Sequence, residues 1–115
     1  MKVLAYFFAI FFIIISCAKE DINSPTNTIT TFGHGFEPET LYCNLGDTVY
    51  FDLGGGLNAI EISEDNYNTN NATPLSGGFQ IDFGGSGFFI PLESKTYYYV
   101  CTPHLPEMKA KIIVD

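Results

Sequence analysis

The chain has 115 residues, five lysines, no arginine and thirteen acidic residues, for a formal net charge of −8. A surface this acidic is repelled by nucleic-acid backbones and anionic lipid, and its electrostatic complement is a cationic protein partner. Three cysteines are too few for a disulfide framework, and the length suits one small domain.

Lys2 precedes an unbroken apolar run over 3–15, followed by Ser16-Cys17. A basic start, a short apolar core and a small residue before the cut read as a signal peptide over 1–16. The run is too short to span a bilayer, which takes about 20 apolar residues. Ile14-Ile15-Ser16-Cys17 resembles a relaxed lipobox, which implies that Cys17 is lipidated and becomes the mature N-terminus. The other reading is a plain signal peptide with an incidental cysteine. An odd cysteine in a secreted chain favours lipidation. Lys19-Glu20-Asp21 resembles the lysine-plus-acidic export tag of some Gram-negative lipoproteins. Together these features predict an exported protein attached to a membrane by a lipid anchor, at the outer membrane or cell surface, on the outer or the periplasmic side. Residues 17–27, with Asn23, Ser24, Pro25 and Asn27, have a linker's composition. The folded domain is expected over 28–115. Cleavage leaves 99 residues, four lysines and all thirteen acids. A domain of that size needs dense aromatic packing, for which seven Phe and six Tyr remain beyond Cys17.

From there the chain is rich in β-branched and aromatic runs separated by turn residues. Strands are predicted over 28–32, 40–45, 48–53, 58–63, 78–83, 88–92, 96–101 and 110–114. Alternation places Leu41, Cys43 and Leu45 on one face, and Tyr97, Tyr99 and Cys101 on another. Gly46-Asp47 is read as a turn. The polar, Asn-rich stretch 64–73 holds at most one helical turn. Gly54-Gly55-Gly56 and Gly84-Gly85-Ser86-Gly87 are turns or bulges; neither opens a helix or carries a phosphate-cradling motif. The fold class is therefore all-β, a single Greek-key β-sandwich or barrel.

The richest segment is 97–108, Tyr-Tyr-Tyr-Val-Cys-Thr-Pro-His-Leu-Pro-Glu-Met, just before the apolar run Ile112-Ile113-Val114. Cys101, His104 and Met108 offer a thiolate, an imidazole and a thioether on one loop between two strands, a soft donor set suited to copper. Taken singly, each is also an ordinary buried Cys, loop His or core Met. A Cys–His nucleophile is conceivable, but the spacing across a Pro turn suits a metal loop better, and no enzyme activity is expected. Zinc would want more His or Cys than these spacings offer. Cys43 reads as a small core residue, with a Cys43–Cys101 disulfide as the outside alternative.

The spacing of these three residues resembles the copper loop of the cupredoxins, the plastocyanin-like blue copper domains, here of the bacterial lipoprotein type. Phe36-Glu37-Pro38, then Leu45-Gly46-Asp47-Thr48-Val49, is similar to the family's Phe-x-Pro loop and Gly-Asp-Thr-Val turn. Asn58-Ala59-Ile60-Glu61-Ile62 is similar to the strand that normally begins His-Asn. The resemblance implies a type 1 site in which Cys101 is the thiolate, His104 the second imidazole and Met108 the weak axial ligand. The His-to-Met spacing is one residue shorter than in plastocyanin-type loops and equals that of azurin-type loops. Asn58 takes the place of the asparagine that holds the ligand loop by hydrogen bonds.

Leu57 stands where the resemblance expects the first His ligand, and an aliphatic side chain donates no electron pair. His34, in Gly33-His34-Gly35, is the only other histidine and the one available substitute ligand. The expectation is a copper-binding electron carrier that exchanges electrons with a cationic redox partner. The alternatives are a non-redox binding or structural lipoprotein that keeps the fold, and a protein that holds Cu(I), which the softer remaining donors favour over Cu(II).

Overall fold

A computed structural model describes residues 27–115. The predicted signal peptide, Cys17 and all but the last residue of the predicted linker lie outside the described residues. Among the described residues, nine strands form two facing sheets. In chain order they are β1 (Thr28–Phe32), β2 (Gly35–Glu37), β3 (Thr40–Cys43), β4 (Val49–Asp52), β5 (Ala59–Ile62), β6 (Gln80–Ile81), β7 (Ser86–Phe89), β8 (Thr96–Val100) and β9 (Lys109–Val114). One sheet runs β2-β1-β4-β7 and the other β3-β9-β8-β5-β6. Two of the pairings, β1 with β4 and β3 with β9, are parallel, so their connections cross from one sheet to the other. This is the all-β sandwich that the pattern of short strands implies.

Period-two alternation builds the core. In β4, Val49 and Phe51 are buried while Tyr50 and Asp52 face solvent, and in β9, Ala110, Ile112 and Val114 point inward. Tyr99 stands at the centre, with the rings of Phe36, Phe51 and Phe79 at centroid distances of 4.7, 5.6 and 5.7 Å. Offset and edge-on ring contacts of this kind add to plain area burial.

The structure corrects several boundaries. The segment predicted over 88–92 pairs instead over Ser86–Phe89, because Pro91 has no N–H for the ladder. β3 ends at Cys43, so Leu41 and Cys43 are buried while Leu45 lies in the following turn and is half exposed. That turn is closed by Gly46 at φ +87°, the left-handed region glycine enters freely. β2 was not anticipated; three residues are too few to show a pattern.

Residues Glu64–Asn68 form one short helix, α1, whose N-cap Ser63 accepts the Asn66 amide through its side chain. The helix packs on the outer face of β8, with the rings of Tyr67 and Tyr98 at 4.8 Å. Lys109 Nζ closes the contact by donating to the Tyr67 carbonyl at 2.7 Å and to Asn70 Oδ1 at 2.9 Å. Covered on both faces, β5 buries all four of its residues. They include Glu61, whose Oε1 accepts the Phe79 amide at 3.1 Å. Gly78 lets the chain pass there, since a Cβ would stand 2.9 Å from that of Glu61.

Candidate metal centre

β1 runs from the point where the described chain begins to the end of the sandwich where His34 and the 101–108 loop meet. β8 delivers Cys101 to this end in extended conformation, and Thr102–His104 then wind into a single 3-10 turn with Pro103 inside it. A fixed proline φ suits that turn. The loop is a closed hydrogen-bonded unit. The His104 amide donates to the Cys101 carbonyl at 3.1 Å, the Met108 amide to the His104 carbonyl at 3.0 Å, and the Cys101 amide to the Met108 carbonyl at 3.0 Å. The backbone alone thus holds Cys101, His104 and Met108 in one ring.

Asn58 ties the loop to the sheet. Its Oδ1 accepts the Thr102 amide at 2.9 Å and its Nδ2 donates to Thr102 Oγ1 at 3.2 Å. Its own backbone amide points at Cys101 Sγ, 3.5 Å away. On the other side of that sulfur lies His104 Nδ1 at 3.4 Å. Cys101 and Met108 are fully buried, while His104 is partly open to solvent. Burial pushes the Cys101 thiol up, and the backbone amides of Asn58 and His104 offset this in part by favouring a thiolate. Cys43 and Cys101 are both free thiols, so the disulfide alternative falls. Burial, reinforced by Asp47, raises the Cys43 thiol as well, as expected for an inert core cysteine.

Leu57 is 7% exposed and belongs to the same buried cluster as Cys101 and Met108. Its amide closes a turn onto the Gly54 carbonyl, and its carbonyl accepts the Gly84 amide. An aliphatic side chain therefore fills the position next to the Asn58 clamp. His34 is exposed and stacks on His104, with ring centroids 3.9 Å apart and planes 22° from parallel. Nitrogen lone pairs lie in the plane of an imidazole, so stacked rings direct them along separate, nearly parallel planes. His34 thus covers a face of His104. The resemblance offered His34 as a substitute ligand at this end, but nothing in the sequence signalled that its ring stacks on that of His104.

Among the described residues, no three His, Cys, Asp or Glu side chains gather as a metal-binding group. Any site at this end therefore depends on the Met108 thioether as a third donor. Thiol, imidazole and thioether fit a soft, thiophilic ion and suit a hard, oxygen-seeking one poorly.

No family model and no curated protein matches the sequence. Solved structures match the fold. A proline-to-glycine variant of amicyanin, in its reduced Cu(I) form at pH 4, superposes with a TM-score of 0.58 and 23% identity. That match covers 83% of this chain and 87% of the other. A Sinorhizobium pseudoazurin gives a TM-score of 0.60 and 20% identity over 76% of this chain and 72% of its own. Amicyanin from Paracoccus versutus gives 0.57 and 19% over 83% and 86%. The sandwich is the cupredoxin fold.

Proposed function

We propose that this chain is a copper-binding electron carrier of the cupredoxin type, exported and lipid-anchored through Cys17, with a type 1-like site that lacks its first imidazole. Cys101, His104 and Met108 would hold the ion, and copper would supply a one-electron couple at an end of the barrel where His104 reaches solvent. The observation that carries the reading is the Asn58 clamp. The residue just before β5 fixes the loop through both polar atoms of its side chain, and its amide is aimed at the thiol sulfur that would bind metal. Such outer hydrogen bonds orient a ligand and tune its basicity. The chain's own contribution is preorganisation: a ring of backbone bonds, a buried thiol and a half-open imidazole. The partner is a redox protein, and the acidity of this chain favours a cationic one.

Leu57 supports a second reading. With an aliphatic side chain in place of a donor, the remaining set is softer and suits Cu(I) holding without turnover. Titration of the purified protein with Cu(II) separates the two. An intense thiolate-to-copper band in the visible identifies the electron carrier. A colourless protein that binds Cu(I) is a holder. Binding of neither ion would overturn both and leave a structural module.

A further inference from the structure

Five apolar side chains, Leu45, Tyr50, Phe88, Ile90 and Leu92, are between 42% and 81% exposed, with Leu92 the most open. Strand register and backbone bonds bring them together. Tyr50 lies opposite Phe88 on the outer face of β4 and β7, where facing side chains are about 5 Å apart. Ile90 continues the Phe88 face, and the Gly46 amide donates to the Pro91 carbonyl at 3.2 Å, joining Leu45 to Leu92. Contiguous exposed apolar surface of this kind marks an interaction site more often than isolated residues do.

The described chain also begins here. The Tyr50 amide donates to the Asn27 carbonyl at 2.8 Å, and Asn27 lines a shallow recess with Tyr42, Asp47 and Asp115. Only residues 18–26 separate Asn27 from Cys17. Nine residues span at most about 30 Å even when fully extended. A lipid on Cys17 therefore ties the chain to the bilayer from this end, within reach of the apolar rim, although the tether alone does not fix which end faces the membrane. Asp47 and Asp115 disfavour anionic headgroups, so a zwitterionic surface is the fitting one.

We propose that this apolar rim rests on a zwitterionic lipid surface, so that the membrane-anchored domain stands upright and presents the candidate copper end to solvent. The proposal rests on the lipid anchor at Cys17. A polar tether alone would leave the domain free to tumble; the rim gives it an orientation. Tyr and Phe are suited to the boundary between headgroups and acyl chains.

The chain contains no tryptophan, so a single introduced indole reports without background. The full chain, processed in cells and purified in detergent, is reconstituted into phosphatidylcholine vesicles with or without bromine on the acyl chains. Leu92→Trp places the probe in the rim at little cost, since that side chain packs against almost nothing. Phe32→Trp places it at the far end of β1, about 13 Å along the strand. The expected result is a blue-shifted Leu92→Trp emission that brominated lipid quenches at least twofold, with Phe32→Trp unaffected. Both indoles unquenched in protein that floats with the vesicles would overturn the orientation while leaving the anchor intact. Equal quenching of both would also overturn it. A blue-shifted, unquenched Leu92→Trp would mean that a protein or a second copy covers the rim, and would overturn the lipid assignment. Protein that fails to float overturns the anchor, and the orientation with it.

Discussion

Leu57 is the residue on which the chemistry turns. It stands next to the Asn58 clamp and is packed in one buried cluster with Cys101 and Met108. Leu57→His should supply the second imidazole of a His₂Cys set, so that Cu(II) added to the variant develops an intense visible band several times stronger than in the parent chain. Because Leu57 is buried, the metal-free variant should also lose about 1–3 kcal/mol from enclosing a polar ring without a partner. Copper binding unchanged by the substitution would break the register between this chain and the blue copper sites. Tyr99 makes a second residue-scale case. Its hydroxyl is buried without a hydrogen-bond partner, and burial, reinforced by the nearby Tyr67 and Glu39, drives its pKa far up. An unpaired buried hydroxyl costs about 1–3 kcal/mol. Tyr99→Phe keeps the ring contacts and should raise the urea midpoint; a lowered midpoint would show that the hydroxyl has a partner.

At the scale of elements, the molecule depends on pieces that hold one another from a distance in sequence. Asn58, just before β5, fixes Thr102 more than forty positions away, and Glu61 within β5 fixes the approach to β6 through Phe79. Burial raises the Glu61 carboxyl, while the Phe79 amide and Lys95 act to lower it and Glu93 adds to the rise. A carboxyl raised in the folded state binds its proton more tightly there than in the unfolded chain. Its ionisation therefore costs stability. The cost is absent below the unfolded value near 4.5, grows as pH rises toward the folded value and is complete above that. Glu61→Gln removes the charge and keeps an acceptor for Phe79. The melting temperature should rise more at pH 7 than at pH 4, and equal changes at the two pH values would refute the electrostatic account.

The same elements show what a sequence can and cannot carry. Strand positions were legible in β4, β8 and β9, and the shared face of Tyr97, Tyr99 and Cys101 in β8, because period-two alternation is a local signal. The loop Cys101-Thr102-Pro103-His104 was legible as a motif. That Asn58 holds the ligand loop by hydrogen bonds was implied by the resemblance to blue copper domains; its partner, Thr102, was not. The β2 pairing and the His34–His104 stack were not legible: β2 is only three residues long, and the stack depends on how the Gly33-His34-Gly35 turn meets a loop seventy positions away. The exposure of Leu45 was misread because a turn ended the strand two residues earlier than its hydropathy suggested.

On the scale of the whole molecule, charge and shape divide the labour. Of the charged residues beyond Cys17, four are lysines and thirteen are acids. Two of those lysines are already engaged on the surface: Lys95 lies 3.6 Å from Glu93, and Lys109 is bound to the Tyr67 and Asn70 acceptors. The field around the protein is therefore negative, and it includes Glu107 on the candidate ligand loop itself. Fields of this kind steer oppositely charged partners and are screened within a Debye length of about 10 Å at 0.1 M salt. If the Cu(I)-loaded protein gives up an electron through the His104 end, a cationic metal complex should oxidise it faster at low salt. That rate should fall roughly tenfold between about 10 mM and 0.5 M salt. An anionic oxidant of similar potential should show the reverse trend, its rate climbing as the repulsion is screened. Stopped-flow traces at both salt concentrations, with both oxidants, measure this directly. Identical salt dependence for the two would mean that electrons leave from a neutral part of the surface, and the acidity of the chain would then serve solubility and not recognition.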